Sequence, residues 1–267
     1  MPTYRTEAIV IRSMDFSESD KIVSFFTRSF GKLRGIAKGA KKSKKRFRNK
    51  LELFSHVSLL FFERNPLGLA RINDCSIIRP HAGICEDIKK VAYGSYFVEL
   101  IDGLVADRER NEAVFDLLAD SLSLIDCHGP GMQIARIFEI RFLSLLGYQP
   151  QLEGCVICGQ RLSKKERFFF SPVKGGIVCG GCLRCSSGLK ELSPTSPGTL
   201  RILLSARNMD FKKIHRLIFS QQALRESEEA LTNFIRWHMG KELNSMKFLK
   251  KIHSFDNFIV ASQKDRG

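Results

Sequence analysis

The sequence predicts an α+β protein: a small N-terminal barrel of five strands, then a helical bundle domain carrying a cysteine-rich insert. Three observations predict it. Residues 1–80 read as short β-branched runs separated by tight turns. From Tyr93 onward the apolar residues switch to helical spacing. Two Cys-x-x-Cys pairs then interrupt the helices. The expected boundaries are 1–80 for the barrel, 81–250 for the helical domain with its insert at 152–188, and 251–267 for a tail without clear period.

The strands follow in order. Glu7 to Arg12 is short and rich in β-branched residues, and Lys21 to Thr27 is a second such run. Lys32 to Ala37 follows a turn at Ser29-Phe30-Gly31. Phe54 to Arg64 is long and apolar, and the turn Asn65-Pro66-Leu67-Gly68 leads into Leu69 to Asp74. Five strands at this spacing suit a closed barrel, which leaves no exposed sheet edge.

The helices are equally periodic. Tyr93, Tyr96, Phe97, Leu100, Ile101, Leu104 and Val105 share one helical face. A second helix follows a cap at Asn111 and carries Val114, Leu117, Leu118, Leu122 and Ile125, with His128-Gly129-Pro130-Gly131 ending it. A third runs from Ile134 to Leu146 and is closed by Gly147. Three such helices with short links read as a bundle. Beyond the insert, Ser196-Pro197 is a cap with a first-turn proline, opening a helix that runs through Leu204. A last helix is expected from about Gln221 to Gly240.

Charge narrows the function classes. The 267 residues hold 43 Lys and Arg against 28 Asp and Glu, a net +15. Such a balance favours a polyanionic partner, nucleic acid before anionic membrane. Residues 1–81 hold 17 basic and 7 acidic side chains, so they carry most of the excess. The densest apolar run, Val57 to Phe62, is six residues broken by Ser58, far short of a membrane helix. The N-terminus lacks the apolar core of a secretory signal. A cytosolic setting follows, where eight cysteines point to metal binding or buried thiols before disulfides.

From Lys32 to Lys50 there are ten basic residues and no acid: Lys32, Arg34, Lys38, Lys41, Lys42, Lys44, Lys45, Arg46, Arg48 and Lys50. They are the expected nucleic-acid-binding residues, because a run of one sign neutralises phosphates and displaces their counterions. The competing reading is a solvated, flexible connection. Gly35, Gly39 and Ala40 would let a ligand approach the backbone closely. Phe47 offers a ring for base stacking, although a lone Phe beside a strand is more often core.

Cys155-Val-Ile-Cys158 and Cys179-Gly-Gly-Cys182 form two knuckles with the spacing of a tetrahedral Zn²⁺ site. Four thiolates leave no open position, so the metal is expected to be structural. Cys185 adds another Cys-x-x-Cys step, and Cys182 is preferred as fourth ligand because it completes the symmetric pair. Cys75, Cys85 and Cys127 stand alone and read as ordinary thiols. Asp15, Glu18 and Asp20 read as a solvated turn rather than a metal site. There is no phosphate-binding loop, no zinc-protease helix, no nucleophile elbow, and the six histidines are scattered. No catalytic constellation emerges, and no enzyme is expected.

The run Glu7 to Arg12, then Phe16-Ser17-Glu18-Ser19-Asp20-Lys21-Ile22-Val23, then Gly31 to Lys41, resembles the bacterial DNA repair family RecO. The likeness continues through Phe142 to Pro150, Phe170-Ser171-Pro172 and Gly175-Gly176-Ile177-Val178-Cys179, and covers about residues 4–240. The resemblance implies an N-terminal OB-fold, a helical domain with a zinc site, and a recombination mediator. Such a protein binds single- and double-stranded DNA, anneals complementary strands, and helps load RecA onto strands covered by single-strand-binding protein. The implied partners are RecR, single-strand-binding protein, RecA and, in many bacteria, RecF. Cys185 and the density of lysine after Lys41 depart from the family pattern. Some members lack the cysteines, so zinc is not essential to the role. Two other readings compete: a zinc-ribbon module acting on RNA or in transcription, which would bind RNA as tightly as DNA, and an enzyme with an unrecognised site, which would turn over a nucleotide or nucleic acid.

Overall fold

The computed structural model describes residues 3–43, 45–65, 68–129, 131–163, 167–185 and 191–252, with the side chains of Lys212 and His215 left aside. Five strands close into a barrel: β1 (Thr3–Asp15), β2 (Lys21–Thr27), β3 (Gly31–Ala37), β4 (His56–Phe62) and β5 (Ala70–Arg79), in the order β1-β2-β3-β5-β4. All pairings are antiparallel except β3 with β5. β1 serves two neighbours, pairing β4 through its first half and β2 through its second, with a bulge between Val10 and Arg12 that bends it from one to the other. This is the OB-like architecture.

Alternation fills the barrel. Val23, Phe25, Leu33, Val57, Leu59, Phe61 and Ile72 point inward with Ala8 and Val10. At one end Tyr4, Phe30 and Phe61 meet with ring centroids 5.3 to 5.4 Å apart. Gly35 stands where β3 and β5 converge, because a Cβ there would lie 2.4 Å from Ile72 Cδ1. Its smallness serves the barrel's closure, not the approach of a ligand. The fourth strand begins two residues later than expected. Phe54 takes a left-handed conformation (φ 71°), and its N–H bonds Val10 O while its ring packs on Gly94.

Helices α1 (Ala82–Cys85), α2 (Ile88–Leu104) and α3 (Glu112–His128) follow, then α4 (Met132–Leu145). Asp87 caps α2 and Asn111 caps α3 through their side-chain oxygens. The chain forms two compact units: residues 1–130 with 244–267, and residues 131–243. Within the first unit Phe115 of α3 packs on Phe26 of the barrel. The three helices read as one bundle are divided: α2 and α3 pack together beside the barrel, and α4 packs with later helices. Gly129, at φ 89°, breaks the chain between them. Residues 244–252 are helical, and Glu99 of α2 accepts hydrogen bonds from their first two N–H groups and the Ser245 hydroxyl.

In the second unit, strands β6 (Phe168–Ser171), β7 (Gly176–Cys179) and β8 (Ser193–Thr195) form a three-stranded sheet in the order β7-β6-β8, with α5 (Gly180–Cys185) after β7. Helices α6 (Pro197–Asn208) and α7 (Gln221–Met239) pack on α4. The predicted Ser196 cap accepts from Thr199 N–H, and Gly240 ends α7 in a left-handed conformation. Arg136 and Glu139 of α4 form a buried ion pair at 2.8 Å.

Candidate nucleic-acid interface and metal centre

The connection from β3 to β4 carries most of the basic run, and its backbone is folded into successive turns. Ala40 N–H bonds Ala37 O, Lys42 N–H bonds Gly39 O, and Ser43 Oγ accepts from the N–H groups of Arg46 and Phe47. Ala40, Phe47 and Leu51 from this connection enter the barrel core. Phe47 is 3% exposed, with the Arg46 guanidinium 4.5 Å above its ring. The core reading of Phe47 therefore holds, and its ring is closed to a base. Ala40 is likewise buried, and Gly39 serves a turn at φ 68°.

The turn between β1 and β2 braces this connection. Asp20 accepts from Gly39 N–H at 2.8 Å, Lys41 N–H bonds Ser19 O, and Lys41 Nζ lies 3.0 Å from Asp15. Hydrogen bonding to Lys41 holds the Asp15 carboxyl below its ordinary range, and the Gly39 N–H does the same for Asp20. Both acids thus organise a turn. A groove of about 320 Å³ opens between the two connections, lined by Lys21, Lys41, Arg48, Asn49, Asp15 and Glu52. At the turn's start Phe16 is 59% exposed, although its N–H is tied to Asp20 O. Sequence reasoning passed over Phe16; an aromatic ring among Ser, Asp and Glu was its only signal.

The ten basic residues are not equivalent. Lys32 donates to Asp102 O at 2.7 Å and lies 3.2 Å from Asp107 Oδ1, so it fastens β3 to the α2–α3 connection. Arg46 donates to Lys38 O. Arg34, Lys38, Lys42, Lys45, Arg48 and Lys50 make no ion pair among the described residues. Lys44 lies outside the described residues.

The second centre is built by the small sheet. Cys155 and Cys158 sit on a knuckle closed by Gly159 N–H to Cys155 O, while β7 ends at Cys179 and α5 carries Cys182. Gly176 allows the strand to pass Gln151, whose carbonyl would lie 2.5 Å from an added Cβ. The sulfurs of Cys155, Cys158, Cys179 and Cys182 all lie within 4.8 Å of one another. Cys158 and Cys179 are 3.7 Å apart, which matches the edge of about 3.8 Å set by a tetrahedron with Zn–S of about 2.3 Å. Backbone N–H groups of Cys179 and Cys182 point at the Cys155 and Cys179 sulfurs, as suits thiolates. Burial would push the Cys155 thiol up, but the N–H groups of Cys158, Cys179 and Ile157 bring it down to about 6. The Cys182 thiol is pushed upward, first by its hydrogen bond to Cys158. Four cysteine sulfurs in this space could hold one divalent cation, and the donor set fits Zn²⁺. Cys185 is exposed and stands outside the cluster, Cys75 lies in the barrel core, and Cys85 and Cys127 are exposed.

Comparison with known proteins supplies the context. The family model described as Recombination protein O N terminal matches residues 1–81, and that for Recombination protein O C terminal matches residues 85–247. A DNA repair protein RecO of Syntrophus aciditrophicus is 38% identical over 250 residues, covering 94% of this chain and 96% of the relative. Proteins of the same name from Geobacter metallireducens and Symbiobacterium thermophilum are 36% and 33% identical, each over 99% of the relative's length.

Proposed function

This chain belongs to the RecO family, whose role is in DNA repair and recombination, and from that membership we propose that it is a recombination mediator which binds single- and double-stranded DNA and anneals complementary strands. The observation that carries the reading is the β3–β4 connection: five of its cations, Lys38, Lys42, Lys45, Arg48 and Lys50, make no ion pair among the described residues, on a backbone folded into hydrogen-bonded turns that bury Ala40, Phe47 and Leu51 in a closed barrel. Two strands repel until their phosphates are neutralised. A cationic surface lowers that barrier, and contacts blind to sequence leave the reading to base pairing. No covalent step is needed. The exposed ring of Phe16 adds a stacking platform that any base can use.

Zinc, when bound, supplies a cross-link between the knuckle and the β7–α5 corner. Cys155, Cys158, Cys179 and Cys182 hold it, and four sulfurs leave no position for a reactive water. In the cell the protein acts in the cytoplasm at the nucleoid, with RecR and single-strand-binding protein and, where present, RecF, and it assists RecA loading.

The test is an annealing reaction between complementary oligonucleotides, one coated with single-strand-binding protein. Annealing should rise with protein concentration and fall with salt. RNA bound as tightly as DNA, with no response to single-strand-binding protein, would replace this reading with an RNA-binding module.

A further inference from the structure

A second groove lies in the cysteine-rich insert, far along the sequence from the ten residues above. It encloses about 450 Å³ between β6 and α5. Arg167 and Arg184 line it, with Gln160, and all three side chains are exposed. Neither guanidinium makes an ion pair or hydrogen bond among the described residues. The insert, residues 152–188, holds six basic and two acidic residues.

Two further features give the groove a shape. Phe169 alternates with the buried Phe168 and Phe170 on β6, so its half-buried ring faces outward into the groove. The floor is made by Gly180 and Gly181. They are the two residues between Cys179 and Cys182, in the turn that the Cys182 N–H closes on the Cys179 sulfur. Neither has a positive φ, and an added Cβ would make only ordinary contacts, no nearer than 3.6 Å at Gly180 and 3.8 Å at Gly181. The bare backbone leaves the groove open at this point.

We infer that this groove binds the sugar–phosphate backbone of a nucleic-acid strand, giving the chain a second strand-binding surface. Arg167 and Arg184 pair with successive phosphates, Gln160 hydrogen-bonds sugar or phosphate, and Phe169 offers a ring face to a base. An acidic peptide would satisfy the arginines too. The open glycine floor and the aromatic edge favour a strand, whose backbone must approach closely and whose bases stack. The inference rests on the DNA-binding reading above and deepens it: annealing needs two strands held at once, and two separate surfaces on one chain provide that.

The experiment measures binding of a labelled oligothymidylate to the full chain against salt, together with annealing rate, zinc content and unfolding midpoint. Arg167→Gln/Arg184→Gln should lower the slope of log K against log[salt] by about 1.4, two single-strand contacts at about 0.7 each. It should also slow annealing at least several-fold with zinc content unchanged. Gly181→Glu, which sets a carboxylate in the groove and leaves both arginines, should act in the same direction. Arg167→Lys/Arg184→Lys should keep the wild-type slope. If wild type shows no salt-dependent binding, the DNA reading itself fails. If wild type binds, and substitutions in the Lys32 to Lys50 run reduce binding while the groove variants keep wild-type slope and annealing, this inference alone is overturned. Loss of binding to an acidic peptide in the arginine variant, with DNA binding intact, would overturn it in favour of a protein ligand.

Discussion

Consider replacing Lys42, Lys45 and Arg48 together with glutamine. All three are exposed, and none has an ion pair among the described residues. Lys32 is the comparator: its side chain is 11% exposed and is held by Asp102 and Asp107. Each phosphate contact adds about 0.9 to the salt slope for duplex and about 0.7 for single strands. The triple variant should therefore lose about 2.7 on duplex and about 2.1 on single strands. Between 50 and 200 mM salt, a fourfold change, the wild type's advantage should shrink about forty-fold on duplex and about twenty-fold on single strands. Lys32→Gln should leave both slopes unchanged. It should instead cost about 1 kcal/mol of stability, since its partners are largely exposed. Fluorescence anisotropy on labelled oligonucleotides, with urea unfolding alongside, measures both. Equal slopes for wild type and triple variant would show that the connection only covers the barrel. A slope change for Lys32→Gln equal to the per-residue change in the triple variant would show that overall charge, not position, governs binding.

Three other outcomes follow from the structure. Purified protein should hold about one zinc per chain; Cys155→Ser should lose it and lower the unfolding temperature of the second unit, while Cys185→Ser keeps the full content, as metal analysis will check. Phe16→Ala should weaken single-strand binding by about 1–3 kcal/mol, one stacked base, with duplex affinity and both salt slopes unchanged. His81 is buried, its Nδ1 donating to Phe54 O and its Nε2 beside Ser123, and burial holds its pKa below the ordinary 6.5. The unfolded chain therefore binds the proton more readily, so this contribution is complete above pH 6.5 and is lost as pH falls toward the lowered value, at about 1.4 kcal/mol per unit of separation. Urea midpoints measured from pH 8 to pH 5 should fall more steeply for wild type than for His81→Gln, and parallel curves would refute the assignment.

The elements most legible in the sequence were those whose signal is local. β2 has the bounds that its residues predict, and the caps at Asn111 and Ser196 do what their side chains suggest. The four clustered cysteines come together as their spacing implies. What escaped was set by distant partners. Glycine at position 35 reads as room for a ligand until Ile72 of β5 is seen pressing on it. Lys32 reads like its nine basic neighbours until Asp102 and Asp107, about seventy residues on, arrive beside it. The short strands β6 and β8 are four and three residues long, too short for a period to show, and they pair across more than twenty residues. Phe16 was hidden because exposure is a property of the folded turn, not of the residue type.

The clasp between Glu99 and residues 244–252 has a consequence for the order in which the protein is made. The first unit is interrupted by the whole of the second and closes only when its last segment returns. On the ribosome, every residue of the second unit is translated before that segment exists. The Glu99 carboxylate must therefore wait, solvated, while the 113 residues of the second unit, 131–243, are made.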